Sequence, residues 1–99
     1  MFSNDTFEWD DDKAAGNLRK HGVSFEAAKL AFDDRFHVEW PDTSEAYGEG
    51  RFVLVGLVAG RLLYVVYTER EDRIRIISAR QASKHEQQEY YRQNAQEEW

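Results

Sequence analysis

The sequence predicts an α+β fold in a single domain covering residues 1–99, with two N-terminal helices, a four-stranded, mainly antiparallel sheet and a C-terminal helix. Three observations predict it. Helix start and stop signals crowd the first third, near-continuous apolar runs fill the middle, and a capping box opens a polar tail. The 99 residues suffice for one buried core and no more.

Asp10 is a good N-cap for a helix over residues 11–21, with Asp11 and Asp12 at its positive end. Ala14, Leu18 and His21 fall at i, i+4 and i+7, one apolar-leaning stripe. Lys20 and His21 suit the negative end, and Gly22 closes the helix in the left-handed conformation while Val23 folds back on Leu18. Ser24 caps a second helix over about 25–33, with Phe25, Ala28, Leu30, Ala31 and Phe32 supplying buried surface.

From Arg35 the pattern changes. His37–Trp40 reads as a short strand that Pro41 confines to an edge or an end, and residues 42–50 read as loop. Arg51–Ala59 and Arg61–Glu69 are strands around Gly60. Ala-Gly is a poor type I′ pair, so a type I turn with a glycine bulge is expected. A turn at Glu71–Asp72 leads to a strand at Arg73–Ala79. FVLVGLV, LLYVVY and IRII are apolar runs rather than alternations, which predicts middle strands covered on both faces. Ser83 and Glu86 form a capping box for a helix over about 84–96. That helix has only Tyr90, Tyr91 and Ala95 as anchors and must dock on something. Phe7–Trp9 leaves room for a short extra strand.

Several function classes drop out. There is no cysteine, hence no disulfide framework and no thiolate. The longest apolar run, Phe52–Ala59, is far short of the roughly 20 residues that span a bilayer. Met1–Asp12 is acidic and has no signal-peptide pattern, so a soluble, cytoplasmic protein without membrane partners is expected. His21, His37 and His85 lie on different elements without HxH or HxxxH spacing, so no metal site is expected. Gly48-Glu49-Gly50 lacks the strand and helix of a nucleotide fingerprint, and no cofactor is expected. Ser24 and Ser83 are explained as caps, and Ser78 has no identifiable base.

Net charge is −6, which by itself points away from a polyanion. Its distribution softens that. Residues 1–49 hold five basic and twelve acidic residues, residues 50–99 eight and seven. Arg70, Arg73, Arg75, Arg80 and Lys84 gather around the last strand against Glu71 and Asp72. A guanidinium fork matches phosphate bidentately and stays charged, which suits a pentacoordinate phosphorane. RNA cleavage without metal needs a base for the ribose 2′-OH, fixed cations and an acid for the leaving 5′-oxygen. Glu69 or Glu49 is the candidate base, His21 or Tyr67 the candidate acid, and Trp9, Tyr64 and Tyr67 are candidate stacking surfaces. Each has a plainer reading: Arg73 paired with Glu71 or Asp72, Trp9 stapled onto Ala14, His21 complementing the helix dipole, Lys20 solvated, Tyr67 in the core.

Two stretches carry a resemblance. Residues 7–34, FEWDDDKAAGNLRKHGVSFEAAKLAFDD, are similar to the opening of the BrnT toxin family through Phe7, Trp9, Asp10, Lys13, Asn17, Lys20, His21, Gly22, Val23, Phe25 and Ala28. Residues 67–83, YTEREDRIRIISARQAS, resemble the family's T-E-R…R-I-I-S-A-R-x-A block through Thr68, Glu69, Arg70, Arg75, Ile76, Ile77, Ser78, Ala79, Arg80 and Ala82. Gly48-Glu49-Gly50-Arg51-Phe52 fits the intervening G-E-x-R-F. The resemblance implies a RelE-like fold and metal-independent endoribonuclease activity that inhibits translation. It also implies a BrnA-type ribbon-helix-helix antitoxin in a heterotetramer, touching DNA only through that antitoxin. It carries functional expectation onto Trp9, Lys20, His21, Glu49, Glu69, Arg70, Arg75 and Arg80. The chemistry of the side chains divides the candidates into a catalytic set (Glu49, Glu69, Arg70, Arg80, His21) and an RNA-binding set (Trp9, Lys20, Arg75, Tyr67, Lys84). The alternative is a catalytically weak binding module that serves as antitoxin partner and co-repressor.

Overall fold

The computed structural model describes residues 6–42 and 50–96. Its elements run β1 (Phe7–Glu8), α1 (Asp11–His21), α2 (Phe25–Ala31), β2 (Val38–Pro41), β3 (Arg51–Val58), β4 (Arg61–Arg70), β5 (Arg73–Gln81) and α3 (Lys84–Gln96). The sheet order is β1-β5-β4-β3-β2, antiparallel from β2 to β5. The expected four strands become five, because Phe7 and Glu8 pair parallel to Ile74 and Arg75. A two-residue strand has no period to detect, and its partner lies 67 residues away.

The helix signals act as read. Asp10 Oδ1 accepts the Lys13 amide at 3.1 Å, and Ser24 Oγ accepts that of Ala27 at 3.0 Å. Gly22 stands at φ 70° and returns its amide to Leu18 O. Ser83 and Glu86 bond reciprocally, Ser83 N to Glu86 Oε1 at 2.8 Å and Glu86 N to Ser83 Oγ at 3.2 Å. The second helix stops at Ala31, two residues early, as Phe32 and Asp33 tighten to i→i−3 bonds with Lys29 and Leu30.

The β3–β4 turn differs from expectation. Val58 pairs with Arg61, and the two residues between, Ala59 and Gly60, both have positive φ (50° and 85°). That is type I′ geometry, imposed by the right-handed twist of the flanking strands in spite of alanine's strain there. Glu71 (φ 50°) and Asp72 (φ 71°) make the second turn alike. Ile77 is an extra residue on β5, since Val66 pairs with Ser78 and Tyr67 with Ile76.

Both faces of the middle strands are covered, as the apolar runs require. On one, Leu54, Leu63, Val65, Ile76 and Ala79 pack with Phe25, Ala28 and Ala31 of α2. On the other, Val53, Val55 and Leu62 pack with Val38, Ala82 and Tyr90 of α3. Asn17 is the buried polar residue of the helix-side face. Its amide donates to Ala79 O (2.8 Å) and Val23 O (2.9 Å), and its Oδ1 accepts the Ala79 amide (3.1 Å). It so completes the edge of β5 beyond the short β1. Gly56 lets α2 approach: a Cβ there would stand 2.5 Å from Ala31 O. Gly56→Ala is expected to cost about 2 kcal/mol, because backbone on both sides must yield. A urea midpoint unchanged from wild type would contradict this close approach.

The α3 helix is held by Tyr90 in the apolar cluster, by Asn94 Nδ2 donating to Phe36 O (2.9 Å) and by the Asp34 carboxylate. Asp34 Oδ2 accepts the Tyr90 hydroxyl (2.7 Å) and the Leu57 amide (2.8 Å), and Oδ1 the Phe36 amide (3.0 Å). Burial opposes its charge, but these donors and nearby His37 outweigh burial and hold Asp34 below its ordinary 3.8. The folded value is depressed, so this stabilisation is complete above the ordinary value and lost as pH falls through the folded one. Asp34→Asn, which turns one acceptor into a donor facing donors, should therefore lower the melting temperature at pH 7. Its deficit against wild type should narrow as pH falls from about 5 to 3. A deficit constant over that window would rule out the charged clamp.

Candidate active site

On β4, Tyr64, Val66, Thr68 and Arg70 share one face by strand alternation, the face on which α3 packs. The α3 helix covers only part of it. Beyond, Arg51 of β3, Thr68, Glu69 and Arg70 of β4, and Arg75 and Ile77 of β5 line an open cleft of about 440 Å³, which Lys13 of α1 and Gly50 complete. Four cations and the Glu69 carboxylate thus line one cleft, with Glu69 at its border. Arg75 Nη1 pairs with Glu8 Oε2 at 3.1 Å, both side chains about a third exposed, so β1 steadies a guanidinium that still reaches solvent. Thr68 Oγ1 donates to Gly50 O at 2.8 Å and ties the entry of β3 to β4.

The structure brings Glu69, Arg70 and Arg75 together, and separates the other candidates from them. Arg80 lies five residues along β5 from Arg75, under the first turn of α3. Its guanidinium meets Glu86 bidentately (2.9 Å each) and covers the Tyr64 ring at 3.9 Å. The Glu86 hydrogen bonds, against opposing burial, raise its affinity for the proton. Lys20 and His21 are exposed in the last turn of α1, on the order of 12 Å along the helix from Lys13. Lys84 is exposed at the start of α3. Trp9 packs edge-on against Phe25, centroids 5.9 Å apart. Glu49 lies outside the described residues.

Tyr67 belongs to the opposite face and is 3% exposed. Phe32 meets its ring edge-on at 5.0 Å and Phe52 stacks on it at 5.6 Å, so no nucleobase finds a free face there. Its hydroxyl donates to Glu39 Oε2 at 3.1 Å. Burial first, then the Glu39 carboxylate, push the phenol well above its ordinary value, which makes it a reluctant proton donor. With His37, Glu39, Glu69 and Arg73 it lines a separate cleft of about 330 Å³. Glu69, at the end of β4, borders both clefts.

Reading side chains singly misses Lys13, Arg51 and Thr68. Part of the signal was present, since Lys13, Arg51 and Thr68 stand in the matched blocks. The pairing of Arg51 with Thr68 follows from the two-residue Ala59–Gly60 turn, which the sequence did not announce. Among the described residues no three His, Asp or Glu are grouped to hold a metal ion, and no helix is long and apolar enough to cross a membrane.

Guanidinium and ammonium groups gathered along one open cleft of a sheet are the groups that suit binding of phosphate esters. The chain belongs to the BrnT family, described as the ribonuclease toxin of a type II toxin–antitoxin system, whose model matches residues 9–86. A search of curated proteins finds no match. Family membership makes RNA the target and an antitoxin the partner.

Proposed function

We propose that this protein is a metal-independent endoribonuclease that acts in the cytoplasm to halt translation, with the cleft of Lys13, Arg51, Arg70 and Arg75 as its catalytic centre. The observation that carries this reading is that those four cations line one open cleft with Thr68 and, at its border, Glu69. Glu69 takes the proton from the ribose 2′-OH, the freed oxygen attacks the adjacent phosphorus, and the 5′-oxygen leaves as the P–O5′ bond breaks. The guanidinium forks meet charge developing on the non-bridging oxygens, the step at which fixed donors contribute most. Glu49 is the second candidate base; His21 stands apart from the cleft, so the leaving 5′-oxygen takes its proton from solvent at this open site. A BrnA-type ribbon-helix-helix antitoxin neutralises the toxin in a heterotetramer, and DNA is met only through it.

Purified protein incubated with RNA in EDTA tests this. The expected products carry 2′,3′-cyclic phosphate on one fragment and 5′-hydroxyl on the other. Folded protein that leaves RNA intact there would favour the binding-module alternative.

A further inference from the structure

The face that carries the cationic cleft continues under α3 into a second pocket of about 470 Å³, lined by Trp40, Tyr64, His85, Glu86, Glu89 and Gln93. Its volume lies within the usual range for small-ligand sites, and its composition is unlike that of the cationic cleft. Two aromatic rings form its inner part. Trp40 is half-buried at the end of edge strand β2, opposite Val53, and packs on the apolar cluster beneath α3. Tyr64 has one side taken by Arg80, whose charge is spent on Glu86. The remaining polar groups come from one side of α3. Glu89 accepts from Arg92 and from Gln93 Nε2, and Gln93 keeps its own amide oxygen.

Carboxylates at such a mouth repel phosphate but accept hydrogen bonds from the N–H edge of a base. An indole offers a stacking surface to a base of any kind. Thr68 and Tyr64 lie four residues apart on one strand face, roughly 13 Å at the strand rise, with Val66 between them. A short single strand can therefore lie along one continuous surface, its phosphates on the arginines and a base turned into the pocket. We infer that the Trp40–Tyr64 pocket under α3 is a nucleobase subsite, in which Trp40 stacks a base of the bound RNA strand and Glu89 and Gln93 read its edge. This rests on the ribonuclease reading, and it assigns base preference to residues outside the cationic cleft.

The test titrates wild type, Trp40→Leu, Trp40→Phe and Glu89→Gln with an uncleavable 2′-O-methyl RNA oligomer, and sequences the fragment ends each produces from a cleavable RNA. Trp40→Leu is expected to weaken oligomer binding roughly 5- to 100-fold, the loss of one stacked base, and Trp40→Phe to restore most of it. Wild-type ends should show a base bias at a fixed position, which Glu89→Gln alters. Glu89 is a partly exposed polar residue that belongs to neither apolar cluster, so its variant decides the matter even if Trp40→Leu fails to fold. Unchanged oligomer binding in Trp40→Leu, or identical end bias in all variants, overturns the subsite. Loss of antitoxin binding with oligomer binding intact also overturns it, assigning the pocket to the protein partner. If wild type cuts nothing, the ribonuclease reading fails, and the oligomer titration still decides whether the pocket takes a base.

Discussion

Asn17→Leu is expected to lose roughly 3–5 kcal/mol of folding stability, a large part of what a domain of this size commands. Leucine fills the space of the amide but leaves three buried backbone groups unsatisfied: the Ala79 amide, the Ala79 carbonyl and the Val23 carbonyl. Each orphan costs about 1–3 kcal/mol, because no water replaces the lost partner. Asn17→Asp should also fall, since a carboxylate keeps the bond from the Ala79 amide but faces two carbonyl oxygens. Urea unfolding followed by circular dichroism measures both. An Asn17→Leu variant within about 1 kcal/mol of wild type, less than the cost of a single typical orphan, would mean that β5 repairs its edge in another way.

Arg75→Ala is expected to slow RNA cleavage by about 10²- to 10³-fold while leaving the fold in place, the loss typical of one fixed donor to transition-state charge. Its ion pair with Glu8 is partly exposed and contributes at most about 1 kcal/mol to stability, so an activity loss is not an unfolding effect. Arg75→Lys should recover part of the rate, because charge returns without the bidentate fork. Single-turnover kinetics on one defined RNA read this directly. A rate close to wild type, far from the about 10²-fold loss expected for a lost donor, would remove Arg75 from the site.

Much of the fold was legible because its signals are local. Asp10, Gly22, Ser24, and Ser83 with Glu86 each mark a helix end, and each makes the bond its position implies. The β1 strand was legible only as room for a short strand at Phe7–Trp9; its parallel pairing with Ile74 and Arg75 is set by how α1 and α2 return the chain. The Ala59–Gly60 turn misled because loop length and strand twist overrode the preference of alanine.

The site was legible in kind more than in membership. An arginine-rich last strand pointed to phosphate chemistry, but alternation and one bulge decide which arginines meet. Arg75 reaches the cleft, whereas Arg80, beyond the extra Ile77, is held by Glu86. Lys13 joins them from α1, where the sequence marked it only as one residue of a matched block. No short-range pattern connects it to Arg51.

The central claim is that RNA lies on the face of Lys13, Arg51, Arg70 and Arg75. Amide chemical-shift mapping with the uncleavable 2′-O-methyl oligomer tests it most directly. The predicted result is that perturbed amides cluster at Lys13, Gly50–Phe52, Thr68–Arg70 and Arg75–Ile77, and that the effect weakens with added salt as phosphate contacts do. Perturbations centred instead on Lys20 and His21, or on the cleft of His37 and Glu39, would contradict it.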